Sequence, residues 1–419
     1  MKFIADLQIH SKYARATSPR MVIEELSRWA KIKGIQVLGT GDFTHPEWFR
    51  ELKNKLEPAE PGLFTWKDDP DLKTGRATRF MLTAETSHIY SKNGRTRRVH
   101  ILIWAPSFES VEKINTRLSW IGNLKSDGRP ILGLDSKELL KIVLESDPTC
   151  AVIPAHAWTP WFSVFGSMSG FDSLEECFDE LAPEIYAIET GLSSDPQMNW
   201  RLSKLDNISL VSNSDSHSPE RIGREANVFN TELSYSAITQ AVKSKNPEKF
   251  LSTIEFFPEE GKYHFDGHRA CNLCLSPEET EKNKGLCPKC GRPVTIGVMN
   301  RIHKLADRPV DFKDPKRVPY KNLVPLDEII ADALGAKSKT KKVWEEYHKL
   351  CEHFKGELNL LLDGDLTEAA QISDPRVSDG ISLMRQGRLK IEPGYDGEYG
   401  KIKIFGESET ALKPQASLF

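Results

Sequence analysis

Several apolar segments of the sequence end in side chains that bind metal ions. The segment 208–212 leads to Asp215 and His217, which lie two residues apart and therefore project to the same side of a strand end. A further segment, 99–103, carries His100 within it. Four more segments end in His10, Asp42, Glu85 and His156. Carboxylates and imidazoles without a cysteine favour zinc, manganese or magnesium over a thiolate site.

The repetition of short strands that end in such residues predicts a β/α barrel. Strands alternate with helical segments over about 250 residues, and barrels of this kind carry their functional side chains at the carboxyl ends of the strands. Residues 79–90 and 97–104 form a predicted hairpin with Asn93-Gly94 in its turn. The hairpin would bring Glu85 close to His100.

Two segments near the amino terminus carry their own signals. Ser18-Pro19 predicts the start of a helix, and Gly34 predicts its end. The segment 54–78 is polar and rich in proline, glycine and aspartate, which predicts an exposed insertion.

The ligand-type residues together predict a metal-dependent hydrolase. A single histidine is more often a hydrogen-bonded core residue, but six such residues at barrel strands favour a shared metal site. Two or more divalent ions in such a site lower the pKa of water and stabilise the attacking and leaving oxygens of a phosphoester. The predicted ligands are His10, Asp42, Glu85, His100, His156, Asp215 and His217, of which Asp215, Glu85 and His217 are the predicted catalytic residues.

The cysteines predict a second, structural metal site. Two Cys-x-x-Cys pairs, separated by twelve residues, indicate a closed tetrahedral thiolate site of the kind that holds Zn²⁺. The predicted zinc ligands are Cys271, Cys274, Cys287 and Cys290. This cysteine usage suits a reducing compartment and predicts a cytoplasmic protein.

The amino-acid composition excludes few classes of protein function. The chain has 57 basic and 60 acidic residues and a net charge of −3, so any nucleic-acid surface must come from local patches. Basic side chains gather between residues 300 and 345 and around Arg95, Arg97 and Arg98. No segment approaches the roughly 18 apolar residues of a membrane helix, so no membrane partner is expected.

The first part of the chain resembles the PHP (polymerase and histidinol phosphatase) family. The resemblance rests on the sequence ADLQIHS at 5–11, on SDSH at 214–217, and on Glu85, His100 and His156. It covers about residues 1–250 and implies a distorted barrel that binds up to three metal ions and hydrolyses phosphoesters. The chain departs from the family pattern at Gln8, where the family has histidine, and at Asp42, where it also has histidine.

The longer pattern resembles the endonuclease Q family within the PHP group. In that family a PHP barrel is followed by a segment like 262–271, a four-cysteine module and a basic helical tail. The resemblance implies an α/β barrel over 1–258, a four-cysteine zinc-binding module over 259–300 and a helical DNA-binding region over 301–419.

The same resemblance implies an activity and its partners. The expected enzyme is a DNA repair endonuclease that hydrolyses the phosphodiester bond 5′ to deoxyuridine, deoxyinosine, deoxyxanthosine or an abasic site by metal-activated water. Its expected partner is DNA with such lesions, and the C-terminal tail is a candidate binding segment for a repair protein. The aromatic loop 158–162 beside His156 could stack on an extruded base or could simply close the barrel.

Two other functions fit part of the pattern. A PHP phosphatase or phosphodiesterase on a small molecule would use the same metal site but would need neither the cysteine module nor the basic tail. A scaffold that binds nucleic acid without cutting it is disfavoured, because Glu85, His100, His156, Asp215 and His217 are all present. Helicase activity is disfavoured because no GxxxxGK[ST] sequence occurs.

Overall fold

The structure, a computed structural model, describes residues 1–406. Its strands are β1 (Lys2–Asp6), β2 (Val37–Gly39), β3 (Leu56–Pro58), β4 (Phe64–Trp66), β5 (Arg79–Lys92), β6 (Arg95–Ala105), β7 (Ile131–Leu132), β8 (Ala151–Pro154), β9 (Ala187–Glu189), β10 (Ser209–Val211), β11 (Ala226–Asn230), β12 (Phe250–Glu255), β13 (Asp266–His268), β14 (Leu273–Leu275), β15 (Tyr320–Asn322), β16 (Lys390–Glu392) and β17 (Lys401–Lys403). Its α-helices are α1 (Ile23–Lys33), α2 (Pro46–Lys55), α3 (Phe108–Ser119), α4 (Ser136–Ser146), α5 (Leu174–Phe178), α6 (Pro196–Trp200), α7 (Tyr235–Ser244), α8 (Pro277–Lys282), α9 (Val298–Leu305), α10 (Leu326–Leu334), α11 (Lys341–His353), α12 (Glu357–Asp363), α13 (Leu366–Ile372) and α14 (Pro375–Arg385).

Eleven of the strands form one sheet. Its hydrogen-bonded order is β15-β12-β11-β1-β2-β5-β4-β3, with β6 and β7 also paired to β5, and β8 paired to β6. Strands β1, β2 and β5 are parallel, whereas β6 is antiparallel to both β5 and β8. The parallel strands therefore deliver their carboxyl ends to one side of the sheet.

Loop hydrogen bonds close this sheet into a ring with the parallel pair β9 and β10. The backbone N–H of Ala157, after β8, donates to the carbonyl oxygen of Glu189 at the end of β9, at 2.9 Å. The N–H of His10, after β1, donates to the carbonyl oxygen of Ser216, after β10, also at 2.9 Å. The predicted distorted β/α barrel is confirmed, and its ring closes at the carboxyl ends of the strands.

The long hairpin of β5 and β6 lies where the sequence predicts it. Asn93 and Gly94 have φ angles of 54° and 71°, as a tight hairpin turn with a right-handed strand twist requires. In this register Ser87 lies opposite His100, and Glu85 lies two residues before Ser87. Because alternate residues share a face of a strand, Glu85 and His100 project to the same side.

Two predictions near the amino terminus are wrong. The segment 54–78 is not exposed throughout, because β3 and β4 add two antiparallel strands to the sheet edge and Leu63 and Phe64 are buried. Helix α1 begins at Ile23 rather than after Ser18. The N–H of Ser18 instead donates to the carbonyl oxygen of His217 at 2.8 Å, so this segment crosses the barrel mouth before the helix starts.

The C-terminal helices pack on the barrel rather than apart from it. Trp29 of α1 contacts Trp344 of α11 edge to face, with ring centroids 5.8 Å apart. Lys33 of α1 forms a buried ion pair with Glu357 of α12. One continuous apolar core includes residues from both parts. Within residues 1–406, no helix is long and apolar enough to cross a membrane.

Candidate active site

The barrel mouth brings six of the predicted ligands together as two adjoining groups. The first group is His10, Asp215 and His217, and the second is Glu85, His100 and His156. Within each group one donor atom per residue lies within 4.8 Å of the others. The groups meet at His10, whose Nε2 lies 2.9 Å from a Glu85 oxygen and 3.1 Å from Asp215 Oδ1.

Two donor atoms of the first group fit a metal ion better than they fit one another. His10 Nε2 and Asp215 Oδ1 are both buried and lie close together, yet neither makes a hydrogen bond. A buried polar atom without a partner is costly in a protein interior. Atoms that converge on a common point without bonding to each other are placed as metal ligands are. Imidazole nitrogens and carboxylate oxygens suit divalent zinc or manganese.

Asp42 lies behind the metal-binding groups and belongs to neither of them, which differs from the prediction that it is a ligand. Its Oδ1 lies 2.9 Å from Nδ1 of His10, and its Oδ2 accepts the N–H of Ser11 at 2.5 Å. Both oxygens are therefore engaged. Such a carboxylate fixes the tautomer of the imidazole and leaves Nε2 free to bind metal.

Two further acidic residues hold the loops that carry the ligands. Glu189 accepts the N–H of His156 and the side-chain amide of Asn213, each at 2.8 Å. Asp6 accepts the N–H of Ser214, the residue directly before Asp215, at 3.1 Å. Neither residue is among the predicted ligands, although each is the last residue of its strand, β1 or β9.

The backbone is strained at three of the site residues. Asp42, His156 and Asp215 have φ angles of 50°, 29° and 47°, in the left-handed region that side-chain-bearing residues seldom adopt. Strain of this kind persists only where the surroundings enforce it, and it clusters at functional sites. The hydrogen bonds that Glu189 and Asp6 accept from backbone N–H groups supply that enforcement at His156 and next to Asp215.

The electrostatics favour the metal-binding protonation state for Glu85 and His100, whereas neighbouring carboxylates raise the pKa of His10 and His156 against the opposing effect of burial. Burial opposes ionisation of Glu85, but Arg129, His100 and His10 hold its pKa well below the usual 4.5. Burial lowers the pKa of His100 to about 4, despite the opposing influence of Glu85. At neutral pH the site therefore presents an ionised carboxylate and a neutral imidazole.

Arg129 is a site residue that the sequence analysis missed. Its Nη1 donates to both oxygens of Glu85, at 3.3 and 3.2 Å. Gln8, at the position where the family pattern has histidine, donates its amide to Glu85 Oε2 at 3.1 Å and leaves its own buried oxygen without a hydrogen bond. The tripeptide Gly128-Arg129-Pro130 was the available signal, since glycine permits a close approach of the backbone before the arginine and proline restricts the arginine's own backbone.

An aromatic pocket of about 300 Å³ adjoins the metal groups. Trp161 and Tyr263 line it and meet edge to face, with ring centroids 5.8 Å apart. Thr159 connects the pocket to the metal groups, because its hydroxyl lies 3.2 Å from Nδ1 of His156. Trp158 of the same loop, in contrast, is buried, and its Nε1–H donates to Oδ1 of Asn199. It therefore packs in the core.

The cysteine site gathers a different fourth donor from the one predicted. Three predicted cysteines form a group with a histidine, and its members are His268, Cys271, Cys287 and Cys290. Nδ1 of His268 lies 3.4 Å from the sulfur of Cys290. Cys274 lies outside the group.

The two cysteine pairs differ in backbone structure. The N–H of Gly291 donates to the carbonyl oxygen of Cys287 at 2.8 Å, which curls the second pair into a knuckle. After Cys271 the chain enters strand β14, where Cys274 pairs with Gly267. In the same hairpin His268 pairs with Leu273, the neighbour of Cys274, and neighbouring residues of a strand face opposite sides, so His268 and Cys274 project from opposite faces.

Two of the predicted DNA-binding arginines are used within the fold. Arg97 donates to the carbonyl oxygen of Gly170 and lies over the ring of Phe171. Arg301 is buried and donates to two carbonyl oxygens and to Asp172. These two arginines therefore stabilise the protein rather than present free charge.

Solved structures of known enzymes match the whole chain. The structure of a lesion-specific endonuclease from Pyrococcus furiosus has a TM-score of 0.86 and 31% sequence identity, and the match covers 99% of this chain and 98% of that one. A complex of endonuclease Q with a 27-mer duplex substrate, with an abasic lesion at the active site, has a TM-score of 0.84 and 31% identity over 99% of each chain. The chain belongs to the endonuclease Q family. As a member of the endonuclease Q family it is a nuclease, and the likeness extends through the barrel, the cysteine cluster and the helical C-terminal region.

Other comparisons cover all or part of the chain. Residues 325–388 match the model of the MJ0043 C-terminal domain. An uncharacterized protein of Bacillus subtilis is 28% identical over 96% of this chain and 99% of its own length. An uncharacterized protein of Methanocaldococcus jannaschii is 35% identical over 59% of this chain, and the match spans 31% of that longer protein.

Proposed function

We propose that this member of the endonuclease Q family is a metal-dependent DNA repair endonuclease that cuts 5′ to deaminated bases and abasic sites. The observation that carries the proposal is the pair of adjoining donor groups at the barrel mouth beside an aromatic pocket. Deoxyuridine, deoxyinosine and deoxyxanthosine are the deaminated nucleosides that the family resemblance implies.

The residues at the barrel mouth have separate tasks in this reaction. Two divalent ions, of zinc, manganese or magnesium, would lower the pKa of a water molecule and stabilise charge on the phosphodiester. His10, Asp215 and His217 would hold one ion, and Glu85, His100 and His156 the other. Hydrolysis joins the water oxygen to phosphorus and breaks the bond to the 3′ oxygen, which leaves with a proton.

The aromatic pocket is proposed to receive the lesion. A deaminated base hides its altered edge within the duplex, so an enzyme must extrude it to read it. Trp161 is 38% exposed, and its ring could stack on the extruded base. Because Thr159 joins the pocket to His156, the base and the adjacent phosphate could engage both sites at once.

The remaining parts are proposed to support this activity. Residues 1–258 would form the catalytic barrel, 259–300 a zinc module, and 301–419 a DNA-binding region, of which the structure describes the part to residue 406. Three cysteines and His268 form a donor set that suits Zn²⁺ in a structural site. The C-terminal region is also the candidate segment for a partner repair protein.

A nicking assay tests the proposal directly. End-labelled duplexes that each carry one deoxyuridine, deoxyinosine, deoxyxanthosine or abasic site are incubated with Mg²⁺, Mn²⁺, Zn²⁺ or EDTA beside an undamaged duplex. The expected result is a single cut 5′ to the lesion that EDTA abolishes. Release of phosphate from small phosphoesters without any lesion-specific cut would contradict the proposal and favour a phosphatase.

The variant Asp215→Ala separates chemistry from binding. We expect it to lose nicking and to retain binding to a lesion duplex, because the fold holds the surrounding loop through Asp6 and Asn213 as well. Binding is measured by fluorescence anisotropy with the same duplexes. Equal loss of nicking and binding would assign Asp215 a structural role.

A further inference from the structure

The loop between α3 and β7 fixes Arg129 at the barrel mouth through its backbone. The N–H of Arg129 donates to Asp127 at 3.0 Å, and the N–H of Gly128 donates to the carbonyl oxygen of Tyr13, also at 3.0 Å. On the other side, the carbonyl oxygen of Pro130 accepts the N–H of Ser87 at 3.0 Å. The proline further restricts the backbone of the residue before it. The arginine is therefore held in place before any substrate binds.

Steric constraints fix the same loop against the site. A Cβ atom at Gly128 would lie 2.7 Å from Cγ of Asp42 and 2.9 Å from the side chain of Ala14. Only glycine allows this approach. The loop thus touches Asp42, which orients His10, and it presents Arg129 to Glu85.

The Arg129 guanidinium has N–H donors that Glu85 does not use. Its Nη1 contacts Glu85, while Nε and Nη2 make no hydrogen bond within residues 1–406. The side chain is 27% exposed, so part of it faces the barrel mouth. An arginine offers five N–H donors in a fixed fork that matches the oxygens of a phosphate.

Arg129 also adds positive charge to the site, at the same carboxylate that the neutral side chain of Gln8 contacts. Gln8 is neutral where the family pattern has an imidazole, so it is a weaker ligand for an additional metal ion. Arg129 places a permanent positive charge against the same carboxylate that Gln8 contacts. One guanidinium can therefore supply charge that a further ion would otherwise supply.

We propose that Arg129 is a catalytic residue whose guanidinium binds a non-bridging oxygen of the scissile phosphate and stabilises the charge that develops there. This inference rests on the proposed function. Water supplies the new P–O bond, the P–O3′ bond breaks, and the 3′ oxygen receives a proton. Arg129 keeps its own protons throughout and acts by charge and hydrogen bonding.

The test compares Arg129→Ala and Arg129→Lys with the wild type and with Arg117→Ala as a matched control. Arg117 is a similarly exposed arginine on α3 that pairs with Glu145, away from the barrel mouth. The first measurement is calorimetric binding of inorganic phosphate to the Mn²⁺-loaded protein. We expect Arg129→Ala to weaken phosphate binding at least tenfold, Arg129→Lys to weaken it less, and Arg117→Ala to leave it unchanged.

The second measurement is nicking of a lesion duplex under single-turnover conditions. Loss of one donor to a developing charge costs about 10²- to 10³-fold in rate, so Arg129→Ala should lose that much while bound Mn²⁺ stays at the wild-type level. Phosphorothioate diastereomers at the scissile linkage give a specific signature. The wild type should discriminate between them, and Arg129→Ala should lose most of that discrimination.

The outcomes separate this inference from the proposed function. Wild-type nicking with an equally active Arg129→Ala would overturn the inference alone. Loss of Mn²⁺ binding in Arg129→Ala and Arg129→Lys, in parallel with activity, would make Arg129 a positioning residue for Glu85 and would also overturn it. Phosphate binding could depend on Arg129 while the wild type makes no lesion-specific cut. That result would show that Arg129 binds anions, and it would reject the repair function.

Discussion

At the scale of single residues, the site depends on the groups that orient its ligands as much as on the ligands themselves. Asp42 fixes His10, and Glu189 fixes the backbone of His156. Partners of this kind set the tautomer and direction of a metal ligand, and their loss typically lowers metal affinity 10- to 100-fold. Asp42 therefore has a testable role distinct from direct coordination.

The variant Asp42→Asn should weaken metal binding by about 10- to 100-fold without unfolding the protein, because the amide keeps the size of the carboxylate but loses its charge. Metal affinity is measured by competition with a chromophoric chelator. Asp71→Asn is a suitable control, since Asp71 pairs with Lys31 on the far side of α1. An unchanged affinity in Asp42→Asn would remove Asp42 from the site.

The aromatic pocket gives a second prediction at this scale. Trp161→Ala should weaken binding to lesion duplexes by about 1–3 kcal/mol, the usual contribution of base stacking on an aromatic ring. Binding to undamaged duplex should change much less, since no base is extruded there. Equal weakening for both duplexes, measured by anisotropy, would argue against a lesion pocket.

At the scale of elements, loops rather than strands complete the site. The strands place the ligands at one end of the barrel, and the loop 123–130 then adds Arg129. That loop can approach only because Gly128 has no side chain against Asp42.

The pair Gly128→Ala and Gly133→Ala tests this close approach. A methyl group at Gly128 must displace Asp42 or Ala14, which should cost about 1–3 kcal/mol of unfolding free energy and reduce metal affinity. A methyl group at Gly133, beyond β7, meets no heavy atom within 4 Å and should be nearly neutral. Similar melting temperatures for both variants would contradict the predicted contact.

The cysteine cluster supplies another prediction about an element. Cys290→Ser and His268→Ala should release the structural metal and lower the melting temperature, because both residues belong to the donor group. Cys274→Ser should keep the metal, since Cys274 lies in strand β14 outside that group. Zinc content of the purified variants decides the point, and zinc loss in Cys274→Ser would restore the four-cysteine site.

At the scale of the whole molecule, a buried ion pair joins the barrel to the C-terminal helices. The side chains of Lys33 and Glu357 are 6% and 3% exposed. Glu357 also accepts the hydroxyl of Tyr347 at 2.5 Å and the N–H of Leu326 at 3.0 Å. Four elements therefore meet at one carboxylate.

Lys33→Met should destabilise the protein by about 3–5 kcal/mol, because it leaves a buried carboxylate without its countercharge. The control Lys341→Met removes an exposed partner of Glu345 and should change the unfolding free energy by less than about 1 kcal/mol. Chemical denaturation measures both. Burial opposes ionisation of Glu357, but Lys33 lowers its pKa below the usual 4.5. The contribution of this carboxylate is thus present above about pH 4.5 and is lost as the pH falls through its lowered pKa.

The sequence predicted the barrel, its strand ends and six of the ligand-type residues, because apolar strands and the residues after them are local patterns. It also predicted the hairpin that joins Glu85 to His100. Tertiary structure alone decided what each polar side chain faces. It placed Asp42 behind His10, grouped His268 rather than Cys274 with the other three cysteines, engaged Arg97 and Arg301 within the fold, and brought Arg129 to Glu85. These contacts join residues that are far apart in the chain. Residue type and sequence spacing do not specify how close such residues lie in the folded protein.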